Sequence, residues 1–187
     1  MLKRIFDLII SSLGLLVLLL PLLIIAFTVR LTSKGPVIHW SKRVGKNSKI
    51  FLMPKFRTMR TDAPQVATHL LKDSSSFLTP VGNFLRKSSL DELPQLWSVL
   101  CGQMSLVGPR PALFNQDDLV QLRQELKVDT LKPGITGWAQ INGRDELPIP
   151  IKVSYDEYYL NHHSLWLDLK ILFLTIYKAA RSEGITH

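Results

Sequence analysis

The chain has 187 residues, 46% of them hydrophobic, which is enough for one domain with a core but not for two ordinary domains plus a membrane segment. Its formal net charge of +8 arises in residues 1–60, which hold eleven Lys or Arg and a single acid. This third is also the most apolar, so an anionic membrane surface is the expected partner, and no sequence signature supports nucleic acid. One cysteine, Cys101, excludes a disulfide framework within the chain and fits a reducing compartment.

The first predicted element is an uncharged run of 22 residues at 8–29, long enough for a membrane helix. No small-x-small cleavage site follows it, so it is expected to be retained as an anchor. Pro21 removes a backbone hydrogen bond within the run and predicts a kink. Basic residues flank both ends, with Arg4 before and Arg30 after. A kinked spanning helix and a re-entrant hairpin both remain open on this pattern.

Short strands around a turn are predicted for residues 35–60, where Gly45 and its polar neighbours separate two apolar pieces. Residues 61–80 are polar and predict a surface loop with a short helix. Residues 81–100 predict two helical pieces. One face of the second piece carries the apolar residues Leu93, Leu96, Trp97 and Leu100.

The C-terminal half alternates predicted helices with glycine-rich loops. The helices are expected at 117–126, 155–160 and 165–181, and the loops at 102–111 and 132–144. The last helix is apolar over a wide arc. It can be a core helix or an interfacial helix that lies on the membrane.

An adjacent pair of carboxylates, Asp91 and Glu92, precedes the second helical piece. Ser89 with Glu92 matches a capping box, or Asp91 itself caps the helix and places Pro94 in the first turn. A helix N-terminus would also keep an aspartate ionised and attract phosphate, so Asp91 could act as a nucleophile or a metal ligand. Spacing alone favours the helix cap, although a charged aspartate at this position is compatible with both interpretations.

Several basic residues stand on the predicted hairpin or beside turn signals. Lys55 and Arg57 alternate around Phe56, so both could point to one face of a strand. Arg110 lies between two prolines, which fix its backbone. Taken one at a time, each of these residues is typical of a solvated surface charge. Taken together, they would neutralise the charge of a diphosphate substrate. The set is Lys55, Arg57, Arg86, Arg110 and Arg144.

Four sequence blocks occur in order: KFRTM at 55–59, SLDELPQL at 89–96, MSLVGPRP at 104–111 and KPGITGWAQINGR at 132–144. Together they closely resemble the bacterial sugar transferase family, the monotopic phosphoglycosyl transferases that start glycoconjugate and polysaccharide assembly. The resemblance runs from about residue 3 to about residue 181. No large extra membrane region precedes the anchor, so the chain is similar to the small catalytic-core form.

The resemblance implies a reaction. A UDP-sugar gives its sugar-1-phosphate to polyprenol (undecaprenyl) phosphate, and the products are a polyprenyl-diphospho-sugar and UMP. By motif position, Asp91 would be the nucleophile and a contact to Mg²⁺, and Glu92 its acid/base or positioning partner. The substrates would be bound by the basic residues Lys55, Arg57, Arg86, Arg110 and Arg144. No residue identifies the sugar.

The resemblance also implies the architecture, an α+β, mostly helical fold at the bacterial inner membrane. Residues 1–34 would form a re-entrant membrane helix, and residues 35–187 a cytoplasmic catalytic domain with a short β element and interfacial helices. Family members break the re-entrant helix at a Ser-Pro pair, whereas Leu20 precedes Pro21 here. A seryl hydroxyl that could satisfy a freed carbonyl is therefore missing.

The expected partners are UDP-sugar, polyprenol phosphate and membrane lipid, and a homodimer through exposed apolar helices is left open. Two other classes of protein are alternatives. One is a non-enzymatic membrane scaffold, and the other is a tethered phosphotransferase that acts on a soluble substrate. The products formed from a UDP-sugar and polyprenol phosphate distinguish these two classes from a phosphoglycosyl transferase.

Overall fold

The computed structural model describes residues 2–63, 75–143 and 147–180. Within them the chain is mostly helical with two small two-stranded sheets, which confirms the expected α+β class. The helices are α1 (Leu2–Val17), α2 (Leu19–Thr32), α3 (Gly82–Lys87), α4 (Gln95–Leu100), α5 (Asp117–Glu125), α6 (Trp138–Ile141), α7 (Ile149–His162) and α8 (Leu165–Ala180). The strands are β1 (Ile38–Val44), β2 (Ile50–Phe56), β3 (Ser105–Val107) and β4 (Gly134–Thr136).

Most predicted elements are confirmed. The strands of 35–60 are β1 and β2, the two pieces of 81–100 are α3 and α4, and the three C-terminal helices are α5, α7 and α8. Helix α7 begins earlier than expected, at Ile149, because a proline is tolerated in its first turn. Most of the predicted loop at 61–80, and the end of the last helix at Arg181, lie outside the described residues.

Helices α1 and α2 meet at a bend of 61°. The break falls at Leu18, and Pro21 lies in the first turn of α2. Proline has no N–H to donate to the carbonyl of Val17, and its ring clashes with that carbonyl, so the chain breaks just upstream of it. The Leu18 N–H still donates to the Gly14 carbonyl at 2.9 Å, and the Leu22 N–H donates to the Leu18 carbonyl at 2.8 Å. The bend thus forms without a seryl hydroxyl before the proline.

The bent pair is apolar enough, taken as a whole, to enter a membrane. In the described ranges, no single helix has both the length and the apolarity for a complete crossing. The inner face of α2 packs on the domain, where Ile25 and Val29 contact a cluster with Phe56 and Leu85. The apolar side chains around the bend are exposed: Leu16, Val17, Leu19 and Leu20.

The start of α1 is bonded to the globular part. Lys3 forms an ion pair of 2.6 Å with the buried Asp168, and Arg4 donates to the last carbonyls of α4. Asp7 is 3% exposed and accepts from the Ser105 hydroxyl at 2.8 Å and the Leu106 N–H at 3.1 Å. The basic flank before the apolar run therefore holds the helix to the domain and does not stand free beside it.

The first sheet is an antiparallel hairpin of β1 and β2. Its register pairs His39 with Lys55 and Arg43 with Phe51. Because side chains alternate along a strand, His39 and Arg43 lie on the same face as Lys55. The hairpin therefore presents several basic groups on one side of the sheet.

The second sheet lies within the two segments that the sequence predicted as loops. Strands β3 and β4 pair in parallel, with Ser105 opposite Gly134 and Val107 opposite Thr136. Three residues are too few to show strand periodicity, which is why the prediction missed both strands. A Cβ at Gly134 would lie 2.1 Å from the Gly108 nitrogen, so this close backbone approach requires glycine.

Helix α4 lies across α1, with Leu96 against Gly14. The apolar face predicted for this helix forms only part of its buried side, because Leu96 packs on the core but other residues of that face do not. Trp97 is 55% exposed, whereas Gln95 and Ser98 are buried. Tertiary packing overrides the periodicity here because α4 has only six residues.

Helix α8 has two different faces. Asp168 and Ile171 are fully buried against the core, whereas Trp166 and Phe173 are 79% and 69% exposed. The core and interfacial interpretations of this helix therefore each describe one of its faces. The exposed face is an apolar patch of the kind that marks an interaction surface.

Candidate functional site

The carboxylate pair lies in a single 3-10 turn, Leu90–Glu92, between α3 and α4. Helix α4 begins after it, with Pro94 at its N-cap position, and no side chain caps it. Ser89 makes no capping hydrogen bond either, and its backbone is left-handed with φ of 56°. The helix-cap interpretation of Asp91 and Glu92 is therefore wrong, because the chain makes a separate turn before the helix starts.

Glu92 is held between two cations. Its Oε1 lies 3.2 Å from the Arg110 Nη2 and 4.0 Å from the Lys55 Nζ. Burial alone would raise the pKa of Glu92, but the charges of Arg110 and Lys55 outweigh it and lower the pKa to about 2. Glu92 is therefore ionised throughout the physiological pH range.

Asp91 has the opposite electrostatic environment. It is 7% exposed, and burial together with the neighbouring charge of Glu92 raises its pKa from 3.8 to about 6, against the opposing charges of Lys55 and Arg86. Two adjacent carboxyls thus have pKa values pushed far apart. Such a separation is typical of sites where two acids perform different tasks.

The cations around the pair are themselves desolvated. Burial lowers the pKa of Lys55 to about 8, although the charge of Glu92 raises it. Arg86 lies on α3, where its Nε donates to the Thr58 hydroxyl at 2.9 Å and its charge interacts with that of Asp91. Three of the predicted basic residues, Lys55, Arg86 and Arg110, are therefore close to the carboxylates.

Arg110 stands on the segment 109–111, a Pro-Arg-Pro sequence that is bonded at each of its carbonyl groups. The Pro109 carbonyl accepts from the Gly134 N–H at 2.9 Å. The Arg110 carbonyl accepts from the Arg123 Nη1 at 2.9 Å, and the Pro111 carbonyl from the Arg43 Nη1 at 3.1 Å. Prolines on both sides and bonds to three carbonyls fix the backbone from which the guanidinium reaches Glu92.

Arg57 is not brought to the carboxylate pair. Strand β2 ends at Phe56, and the Arg57 Nη2 donates to the carbonyl and the hydroxyl of Ser33, at the end of α2, at 2.8 and 2.6 Å. The expectation that Lys55 and Arg57 share one face is therefore not met. Arg144, the fifth predicted basic residue, lies outside the described residues.

Two residues near the site were missed by the sequence prediction, His39 and Arg43. Arg43 interacts electrostatically with both Glu92 and Lys55, and its Nε donates to the Ser41 hydroxyl at 3.1 Å. Burial, then the charges of Lys55 and Arg43, lower the pKa of His39. The alternation of β1 could have indicated the shared face, but only the hairpin register shows that this face carries Lys55.

Asp91 could serve as one ligand of a Mg²⁺ ion. Across 2–63, 75–143 and 147–180 there is no group of three or more His, Cys, Asp or Glu placed to hold a metal. Mg²⁺ at phosphate sites is commonly held by one or two carboxylates, with substrate phosphates and water completing the shell. A single buried carboxylate beside cations that attract a diphosphate fits that donor set.

Known proteins resemble the chain over nearly its whole length. The family model described as "Bacterial sugar transferase" matches residues 1–182. The chain is 46% identical over 187 residues to the "Uncharacterized sugar transferase EpsL" of Bacillus subtilis, with 98% of this chain and 90% of that protein covered. It is 44% identical to the UDP-glucose:undecaprenyl-phosphate glucose-1-phosphate transferase of Klebsiella pneumoniae, covering 94% of this chain and 39% of that protein. It is 38% identical to the undecaprenyl-phosphate galactose phosphotransferase of Salmonella typhimurium, covering 98% and 41%. The chain thus spans nearly all of the first relative and about two fifths of the other two.

Proposed function

The chain belongs to the bacterial sugar transferase family, and from that premise we propose that it transfers a sugar-1-phosphate from a UDP-sugar to polyprenol (undecaprenyl) phosphate. The products are a polyprenyl-diphospho-sugar and UMP. The observation that carries the proposal is the pair of adjacent carboxyls with separated pKa values, Asp91 at about 6 and Glu92 at about 2, among Lys55, Arg86 and Arg110. The named relatives support it, since two of them carry this reaction type in their names.

Asp91 is the proposed nucleophile. One oxygen of its ionised carboxylate attacks the phosphorus next to the sugar, so that a P–O bond to Asp91 forms. The bond from this phosphorus to the bridging oxygen breaks, and its electron pair leaves on UMP. An oxygen of polyprenol phosphate then attacks the same phosphorus, and the electron pair of the broken bond returns to the Asp91 carboxylate.

Glu92 acts in this scheme as a positioning residue. With a pKa of about 2 it carries no proton to give at neutral pH, so a role as general acid is disfavoured. Its charge instead holds Arg110 and Lys55 beside Asp91, where they can bind phosphate oxygens and stabilise charge on the leaving UMP. The family resemblance leaves two roles for Glu92, an acid/base partner of Asp91 or a positioning partner. The electrostatics support the positioning role.

Mg²⁺ is the proposed cofactor, with Asp91 as its protein ligand. When bound, it neutralises the diphosphate and polarises the phosphoryl oxygens. Lys55, Arg86 and Arg110 would neutralise the negative charge of the substrate that the metal ion leaves uncompensated. Arg57 contacts the end of α2, so a direct role for it in substrate binding is less well supported than for these three.

We further propose that residues 1–34 enter the membrane and leave on the same face, and that the domain lies on the cytoplasmic side of the bacterial inner membrane. Both ends of the bent pair are bonded to one globular domain, at Lys3 to Asp168 and at Ser33 to Arg57. Both ends of a spanning segment could not contact the same domain, because they would lie on opposite sides. The exposed apolar side chains at the bend are the part that would enter lipid.

A panel of UDP-sugars tests the proposal and identifies the sugar. The protein is incubated with each donor, Mg²⁺ and polyprenol phosphate, and the released nucleotide is separated. Release of UMP with one or a few donors supports sugar-1-phosphate transfer. Release of UDP would indicate ordinary glycosyl transfer, and release of neither nucleotide with any donor would favour a scaffold.

A further inference from the structure

An ion pair outside the site bonds directly to the backbone of Arg110. Arg123 on α5 donates through Nε and Nη2 to the Asp156 Oδ2 on α7, at 3.0 and 2.6 Å. Its third donor, Nη1, reaches the Arg110 carbonyl at 2.9 Å. Arg123 and Asp156 are 8% and 2% exposed, so these bonds are shielded from water.

A buried ion pair of this kind is weakly explained by stability alone. Two charges removed from water lose much hydration, and a pair of packed apolar residues often stabilises a fold at least as well. A guanidinium, however, can donate to a carboxylate on one edge and still direct another N–H to a different acceptor. Here that other acceptor belongs to the residue whose side chain holds Glu92.

We propose that the Arg123–Asp156 pair is a positioning device for Arg110. Asp156 orients the Arg123 guanidinium, Arg123 fixes the Arg110 carbonyl, and the fixed backbone places the Arg110 side chain 3.2 Å from Glu92. Neither residue of the pair contacts Glu92. The expected effect of the pair on the reaction rate rests on the proposed function. The bonds from Asp156 through Arg123 to Arg110 do not depend on any substrate.

Arg123→Lys is the informative change because it keeps a cation beside Asp156 but replaces the planar fork with a single ammonium group. A lysine cannot reproduce the bonds of the fork to both Asp156 and the Arg110 carbonyl. Asp156→Asn serves as a second variant of nearly the same shape, in case Arg123→Lys does not fold. Asp168→Asn is the matched control, because Asp168 is equally buried and ion-paired but bonds to Lys3 and to the Tyr159 hydroxyl instead of to Arg123.

The first measurement is a double-mutant cycle on kcat/KM for UMP release. Arg123→Lys is expected to lower kcat/KM about tenfold in the wild-type background and less than about twofold in an Arg110→Ala background. The control Asp168→Asn is expected to have the same effect in both backgrounds. Equal losses from Arg123→Lys in the two backgrounds would overturn the proposal.

The second measurement needs no activity. The melting temperature is followed for Arg123→Lys, Glu92→Gln and the double variant. Coupling through Arg110 makes the two losses less than additive, although Arg123 and Glu92 share no direct hydrogen bond. Additive losses would overturn the proposal whatever the rates. A wild-type protein that releases no UMP would instead remove the proposed function, and the melting temperatures would still decide the role of the pair.

Discussion

The Arg110 Nη2 lies 3.2 Å from the Glu92 Oε1, and Glu92 directly follows Asp91 in the chain. The arginine lowers the pKa of Glu92, and the charge retained on Glu92 raises the pKa of Asp91. One ion pair therefore influences the protonation of both carboxyls. Burial is the larger cause of the raised pKa of Asp91, and together with the charge of Glu92 it places the proposed nucleophile close to its titration range at neutral pH.

The rate of UMP release is expected to depend on pH as a bell-shaped curve. Asp91 has to be ionised to attack phosphorus, so the rate rises as the pH increases through about 6. Lys55 has to be charged to bind phosphate, so the rate falls as the pH increases through about 8. The measurement is kcat/KM for UDP-sugar between pH 5 and 9 at several Mg²⁺ concentrations, because a cation bound to Asp91 favours the ionised carboxylate and moves the lower limb to lower pH. A rate that stays flat from pH 5 to 7 at the lowest Mg²⁺ concentration would contradict the assignment of Asp91.

Glu92→Gln is expected to shift both limbs of that curve to lower pH. Removing the charge lowers the pKa of Asp91, because Glu92 raises it, and lowers the pKa of Lys55 for the same electrostatic reason. The maximal rate also falls, since Arg110 and Lys55 lose their ion pairs with Glu92. The same profile measured on Asp62→Asn, an exposed carboxylate paired with Arg60, is the control and should not move. Limbs that shift in opposite directions would show that Glu92 does not act on both groups electrostatically.

Asp91→Asn is expected to abolish turnover and yet stabilise the fold at neutral pH. Folding raises the pKa of Asp91 from 3.8 to about 6, so the fold loses stability as the pH increases through 6. Asparagine cannot ionise, and the variant should therefore gain up to about 3 kcal/mol at pH 7.5 and little at pH 4. Chemical unfolding at the two pH values measures the difference.

Covalent labelling of the protein by a radioactive UDP-sugar tests for the intermediate in the same variant. With the sugar-side phosphate labelled and no lipid acceptor present, the wild-type protein should retain label and Asp91→Asn should not. A variant that lost stability at pH 7.5, or that still became labelled, would argue against Asp91 as a buried, ionisable nucleophile.

The re-entrant arrangement predicts that both ends of the helical pair face the cytoplasm. Cysteines are introduced singly at Leu2 and at Lys34, two exposed positions, in a Cys101→Ser background. A membrane-impermeant maleimide should label neither in intact cells and both in inverted membrane vesicles. Leu19→Cys, at the bend, should react slowly in both preparations because it lies in lipid. Labelling of one end from outside intact cells would indicate a spanning helix instead.

The sequence predicted most of the fold because its long elements have strong local signals. The bend was expected from Pro21, the hairpin from its turn residues, and α5, α7 and α8 from periodicity. Strands β3 and β4 were missed because they have three residues each and each is a strand only through its pairing with the other. Their pairing depends on close backbone contact at glycine, which has no periodic signature.

The candidate site was predictable in its residues but not in its geometry. Lys55, Arg86 and Arg110 were identified, yet Arg57 was expected beside Lys55 and instead contacts Ser33. Spacing favoured a helix cap for Asp91, because it cannot show that the chain turns once before α4 begins. Long-range bonds such as that from Arg123 to the Arg110 carbonyl have no local signal at all.

The fate of one phosphorus atom tests the central claim most directly. A UDP-sugar labelled at the phosphate next to the sugar is incubated with the protein, Mg²⁺ and polyprenol phosphate, and the lipid and aqueous phases are separated. Transfer of sugar-1-phosphate predicts that the label enters the lipid phase and that the released UMP is unlabelled. Label that remains in the aqueous phase as UDP, with the sugar alone found on the lipid, would contradict the account.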